Sequence, residues 1–574
     1  MVKYPELDDS EFYDELNKVY SKYQIKKEKK TLKQFCNRKT FQLQMPQKFV
    51  AGFINPETPY KGLLIYHRIG AGKTCSAVNI AEKWKGKRRI IVVVPAALIG
   101  NFRDELRSQC ADYSYLTKAE TKIIKNLPPL NHQYRKIMER SDKRIDKVYK
   151  IYSYHKYIMN AKENKINLNN ALLIIDEIQN MISESGTFYK NLLNTILKAP
   201  EDLRVVLLSA TPMFDKPSEI GLTMNLLRLP HPFPTGSHFN DMFLNIKRRK
   251  NGGVSYRGKN LTKFKEMIKG HVSYYRGAPP HTFPEMEFKI VKCKMESFQY
   301  KSYLTALSSD DHYFRGSFRQ GDILSLPNDF FLGERIISNV AFPNRSINVT
   351  GFNSFRGDKL LMKNLSEYSI KFYKILKKIK ASEGPVFFYS NFKEYGGIKS
   401  FVKVLKKHKF KNYKTHGAGL CRFAIWSGDE KHEMKEEIKR VFNQKSNLYG
   451  EEIKILLGSP SIKEGVSLLR VEQVHILEPY WNMSRMDQII GRAIRLCSHH
   501  DVRPYRRIVS VYLYLATSSK GEETVDQYIW KLAKEKNKLI SKFERSLKEA
   551  AVDCKLNKFA NVYPGEEEIE CLED

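Results

Sequence analysis

Short runs of apolar, largely β-branched residues recur along the chain without the alternation of a half-exposed strand. GLLIYH (Gly62–His67), IIVVV (Ile90–Val94), ALLII (Ala171–Ile175) and VVLL (Val205–Leu208) each lead at once into a turn or a helix start. Continuous apolar runs of this length predict parallel strands buried on both faces. Helical patterns lie between them, so residues 45–278 are expected to form a doubly wound α/β lobe. A second set, VFFY (Val386–Tyr389), IKILL (Ile453–Leu457), VHIL (Val474–Leu477) and Ile508–Leu515, predicts another such lobe over 366–520. Residues 1–44 read as an N-terminal extension. Residues 279–365, rich in Pro, Asn, Ser, Gly and aromatics with no sustained period, read as an insertion or bridging region of unassigned structure. Apolar positions at Ile529, Leu532, Ala533, Leu539, Ile540, Phe543 and Leu547 have the spacing of an amphipathic helix. The tail 521–574 is therefore expected to be helical and to pack as a lid on the second lobe.

Composition adds a partner class. Lys and Arg number 98 against 63 Asp and Glu, a net charge of +35. An excess of that size calls for a polyanion, and nucleic acid comes first because phosphate neutralisation dominates its non-specific binding. A membrane partner is not expected: no lipidation motif is found. The longest apolar run, Ile90–Gly100, is too short to span a bilayer and is broken by Pro95. The polar N-terminus is not a secretory signal. The 8 cysteines show no C-x-x-C pair, which predicts neither a zinc site nor a disulfide framework and points to a reducing compartment.

The candidate chemistry begins where GLLIY runs into HRIGAGKT. Gly70, Ala71 and Gly72 would let backbone N–H groups close around phosphate oxygens, with the following helix N-terminus adding positive charge. Lys73 would reach the β- and γ-phosphates and the Thr74 hydroxyl would bind Mg²⁺. The loop opens on His67 where the usual pattern has glycine. About a hundred residues on, the strand ALLII ends in Asp176-Glu177-Ile178-Gln179. An acidic pair at the C-terminal end of a parallel strand sits where open α/β sheets bind ligands. Asp176 would hold Mg²⁺ and Glu177 would orient and deprotonate the attacking water; the bland reading is a helix cap. In QIIGRAIR, Arg492 and Arg495 are three apart, so they would share one helix face and point together as arginine fingers. Alone, such a pair reads equally well as surface ion-pair partners.

Taken together, these segments resemble superfamily 2 helicases in content and order. GAGKT (70–74) resembles motif I, VVVPAALIGNF (92–102) motif Ia, DEIQ (176–179) motif II and SAT (209–211) motif III. FFYSNF (387–392), GSPSIKEGVSL (458–468) and QIIGRAIR (488–495) resemble motifs IV, V and VI. The resemblance implies two RecA-like lobes, ATP and Mg²⁺ as cofactors, and hydrolysis in a cleft between the lobes. It implies adenine contact by Gln47, nucleotide contacts by Gly465 and Gln488, and coupling through Gln179, Ser209, Ala210, Thr211 and the loop Glu464–Ser467. PYWNMSRMDQIIGRAIRLCSHH and LKEAAVDCKLN look more narrowly like ATPases of large cytoplasmic DNA viruses. Poxvirus nucleoside triphosphatase I and the small subunit of the poxvirus early transcription factor are of this kind. That likeness implies a DNA-dependent ATPase and translocase serving viral transcription machinery, located in the virion and host cytoplasm, with DNA favoured over RNA. A strand-separating helicase and a promoter-binding subunit are the alternatives. Candidate phosphate contacts are Lys247–Lys250, beside a Gly-Gly turn, and a flexible arm at Lys26–Lys33. Lys374–Lys380 and Lys403–Lys411 read as solvated helix faces.

Overall fold

The computed structural model describes residues 3–573 except 27–30, 37–40, 184–185, 249–253, 309–312, 315–316, 319–323, 325–330, 464–465 and 562–566. The chain divides into two compact units. The first comprises residues 1–246, 256–282 and 538–574, and the second residues 247–255 and 283–537.

The first unit is built on a six-stranded sheet. Its strands are β1 (Gly62–His67), β2 (Arg89–Val94), β3 (Tyr149–Ser153), β4 (Ala171–Ile175), β5 (Arg204–Ser209) and, after a separate hairpin of β6 (Leu244–Arg248) and β7 (Val254–Gly258), β8 (Val272–Tyr275). The order is β3-β2-β4-β5-β1-β8, with every neighbouring pair parallel. The apolar runs become these strands because helices cover both faces: β1 and β4 are buried throughout. Ile65, Val92, Ile174 and Val206 join Phe49, Phe53 and Trp84 in one core.

The second unit carries a seven-stranded sheet. After the two-residue strands β10 (Tyr313–Phe314) and β11 (Ser317–Phe318), which pair with each other, come β12 (Val386–Tyr389), β13 (Lys411–Asn412), β14 (Arg422–Trp426), β15 (Ile455–Gly458), β16 (Gln473–Ile476) and β17 (Ile508–Thr517). The seventh strand, β9 (Glu285–Lys294), comes from the stretch whose composition left its structure open; it lies parallel to β17 along its whole length, giving the order β13-β14-β15-β12-β16-β17-β9. The same stretch supplies the helices Ser297–Leu307, Leu332–Asn339 and Val349–Ser354 and the start of Met362–Tyr368. Its alternating charges hid the strand, because at an edge most of its side chains remain at least partly exposed.

Two expectations need correction. The tail is helical over Val525–Glu549 and Cys554–Asn561, but residues 538–574 belong to the first unit, so the tail is not simply a lid on the second. Disulfides are also present: Cys75–Cys110 and Cys554–Cys571, separated by 35 and 17 residues. Spacing at that range has no sequence signature, because the fold alone brings the partners together. Among the described residues no helix is long and apolar enough to cross a membrane.

Candidate nucleotide site

In the first unit, β1, β5 and β4 are adjacent and parallel. The loops that follow them therefore leave from the same C-terminal edge, the ligand edge of an open α/β sheet. After β1, Gly70 and Gly72 take positive φ values of 84° and 76°. Gly72 caps the helix Lys73–Trp84 in left-handed geometry. Its carbonyl accepts from Ser76 N at 3.0 Å, the first turn of that helix, and from Gln47 Nε2 at 3.2 Å. The positive φ favours glycine there, and a Cβ at Gly72 would stand 2.5 Å from that Gln47 nitrogen and displace the Gln47 amide from its bond. Gln47 is buried, and its Oε1 takes the N–H of Gln44 at 2.9 Å. Ala71, Lys73 and Thr74 thus sit in a loop-to-helix turn braced from the helix Met45–Phe53.

The end of β4 is joined to the end of β5 by side chains. Asp176 is buried, and its Oδ1 accepts the N–H of Glu177 at 2.9 Å. Glu177 adopts a left-handed φ of 51°, strain that turns the chain out of the strand. Its Oε2 accepts from Gln179 Nε2 at 2.6 Å. Gln179 Oε1 in turn accepts from Ser209 Oγ at 2.7 Å, and Ser209 Oγ accepts the N–H of Thr211 at 3.0 Å. Ala210 is buried between the last two. The carboxylate assigned to water activation and the SAT segment are therefore two side-chain bonds apart. As hard oxygen donors, Asp176 and Thr74 are of the kind that suits Mg²⁺ alongside phosphate and water.

Two supporting residues carried no sequence signal. Tyr154 Oη lies 2.5 Å from the carbonyl of Asp176 and 2.9 Å from that of Glu177, holding the acidic turn from outside. Glu219 accepts the N–H groups of Phe214 at 2.6 Å and Asp215 at 2.9 Å, which fixes the loop after SAT, and burial pushes its carboxyl up to about 7.

In the second unit, Gln488 and Arg492 are buried in the helix Met483–Ala493. Arg492 donates through Nε to the Gln488 carbonyl at 3.1 Å and through a terminal nitrogen to the Val466 carbonyl at 3.4 Å. The helix stops at Ala493, so Arg495 does not share a helix face with Arg492 as expected. The chain turns at Ile494 and brings Arg495 back to the same Val466 carbonyl at 3.0 Å, with Ser467 Oγ as a second partner. Burial, and then the Arg492 charge, press the Arg495 guanidinium down to about 9. Gly465, expected to touch nucleotide, lies outside the described residues, as does Glu464.

A family model of the SNF2-related domain matches residues 12–336, more than half of the 574-residue chain. The chain belongs to the SNF2-related helicases. In this SNF2-related protein a helicase conserved C-terminal domain follows at 370–497 and a nucleoside triphosphatase I C-terminal domain at 499–572. A protein of Acanthamoeba polyphaga mimivirus, provisionally named an ATP-dependent RNA helicase, is 52% identical over 99% of both chains. A second mimivirus protein with the same provisional name is 28% identical over 93% of this chain and 57% of its own. The termination factor NPH-I homolog of African swine fever virus is 28% identical, covering 87% of this chain and 77% of that one. The SNF2-related chain is thus an ATP hydrolase of helicase type, with relatives in large DNA viruses.

Proposed function

We propose that this protein is a DNA-dependent ATPase and translocase acting in viral transcription, present in the virion and host cytoplasm. The observation that carries the motor reading is the bond series Glu177–Gln179–Ser209–Thr211, which ties the acidic turn after β4 to the segment after β5. In this reading Gly70, Ala71, Gly72 and Lys73 hold the phosphates of ATP, Gln47 approaches the adenine and Gln488 adds a nucleotide contact. Thr74 and Asp176 hold Mg²⁺, which when bound offsets phosphate charge. Glu177 orients the attacking water and takes its proton. Arg492 and Arg495 place positive charge against the γ-phosphate in the transition state. Gln179, Ser209, Ala210 and Thr211 pass loss of the γ-phosphate to the nucleic-acid track, which grips phosphates rather than bases. The nucleoside triphosphatase I C-terminal match and the African swine fever virus termination factor homolog support transcription as the setting.

The provisional name of the mimivirus relative favours a second reading, an RNA track. The test is ATP hydrolysis by the purified protein alone and with single-stranded DNA, double-stranded DNA or RNA. Stimulation by DNA and not RNA is expected, with Lys73→Ala abolishing turnover. Stimulation by RNA alone would replace the DNA reading, and unimpaired turnover by Lys73→Ala would remove the phosphate-loop assignment.

A further inference from the structure

The residue that departs from the usual phosphate-loop pattern, His67, is fully buried at the end of β1. Its Nε2 lies 2.9 Å from Ser273 Oγ on the neighbouring strand β8, and Ser273 Oγ lies 2.6 Å from Asp553 Oδ2. Asp553 belongs to the C-terminal segment of the first unit, 280 residues from Ser273.

That segment, from Val552 into the helix Cys554–Asn561, covers the open side of β8. Val552 N donates to the Val272 carbonyl at 2.8 Å, Asp553 Oδ1 takes Tyr274 N at 2.8 Å, and Asn557 Nδ2 donates to the Tyr274 carbonyl at 3.1 Å. Asn561 Oδ1 takes Arg276 N at 2.9 Å. A bare sheet edge is thereby satisfied mostly by side chains. The same carboxylate that closes the edge also holds Ser273, and through it the His67 ring at the start of the phosphate loop.

The donor count sets the proton positions. Asp553 accepts from Ser273 Oγ, Tyr274 N and Asn557 Nδ2, the last at 2.9 Å, and burial pushes its carboxyl up to about 7, so in its ionised form above that pH it can only accept and the Ser273 proton is committed to it. Ser273 Oγ must then accept, which puts the His67 proton on Nε2 and leaves Nδ1 as a bare acceptor. Nδ1 is buried and has no hydrogen-bond partner among the described residues. Burial holds the imidazole neutral, with its pKa down at about 3, and the nearby Lys73 charge acts in the same direction.

We propose that Asp553, acting through Ser273 and His67, is a positioning residue for the phosphate loop: by taking the Ser273 proton it makes Ser273 Oγ the acceptor for His67 Nε2, which fixes the orientation and tautomer of the ring from which the loop departs. The inference rests on the nucleotide-site reading above. It makes the C-terminal segment a part of the ATP site, not an appendage to it.

The test is steady-state ATPase kinetics and thermal unfolding of the full chain carrying Ser273→Ala or Asp553→Asn. Ser273→Ala removes one hydroxyl. Asp553→Asn keeps the shape but can turn a donor toward Ser273, which reverses the series and moves the proton of His67 to Nδ1. Each is expected to raise KM for ATP about tenfold, the worth of one hydrogen bond to a charged group. Turnover at saturation should change by no more than about twofold, because the relay acts on binding geometry. In a His67→Gly background, which restores the usual glycine, Asp553→Asn should raise KM no further. If His67→Gly does not fold, the Ser273→Ala/Asp553→Asn pair should be non-additive in KM in the same way. Unchanged KM in both single variants, or a full Asp553→Asn effect persisting without His67, would overturn the proposal. A wild-type protein that neither binds nor hydrolyses MgATP would instead overturn the nucleotide-site reading, and the relay with it.

Discussion

Arg492 and Arg495 illustrate how single residues acquire a role. Both share the Val466 carbonyl, and Arg495 is held low by burial and by its neighbour's charge. Two desolvated guanidinium groups side by side repel one another, and in the role proposed above an incoming phosphate would relieve that repulsion. Arg492→Ala is expected to lower kcat by about 10³ while KM for ATP changes by only a few-fold, as for an arginine acting in the transition state. Equal changes in both, measured on protein with unaltered thermal unfolding, would make Arg492 a ground-state contact. The order of the site segments and the residue types were legible in the sequence, since strand–glycine loop–helix and strand–acidic pair are local patterns. Tyr154 and Glu219 were not: they act on backbone groups 22 to 23 and 4 to 5 residues away, through contacts that have no motif.

Among elements, the helix Val525–Glu549 shows how a polar anchor directs packing. Asp526, in its first turn, is 1% exposed and pairs with Lys371 Nζ at 2.6 Å, itself 0% exposed. Its Oδ2 also takes the N–H of Ala516 at the end of β17 at 2.7 Å, and Lys371 donates to Asn339 Oδ1 at 2.9 Å. Removing one partner strands a buried charge. Asp526→Ala should therefore lose about 3–5 kcal/mol, read by urea unfolding, and a paired apolar replacement of Lys371 and Asp526 should recover much of it. A loss under about 1 kcal/mol would mean that water reaches the pair. The amphipathic spacing predicted this helix. Lys371, three residues before the run Lys374–Lys380 read as a solvated face, carried no signal of its own, because charge alone does not show which lysine turns inward.

At the scale of the whole molecule the net charge of +35 governs affinity for nucleic acid. Binding should be tight at low salt and fall steeply as salt rises, because each neutralised phosphate releases counterions. A grip on roughly six to ten phosphates loses about 10³- to 10⁵-fold in affinity between about 50 and about 200 mM salt. Fluorescence anisotropy with labelled single-stranded DNA measures that slope. A flat response would mean that the basic residues serve another partner.

Composition and periodicity determined the two parallel-sheet lobes, the strand at each glycine or acidic turn, and the basic character. All of these depend on residues close together in the chain, whose spacing carries a period. Only the tertiary structure decided that β9 closes the second sheet, that Cys75 meets Cys110 and that Arg495 returns from beyond its helix. It alone decided that Asp553 lies beside Ser273 and, through it, His67. These are meetings of residues far apart in sequence, chosen by which edges and buried polar groups were left to satisfy once the sheets had formed.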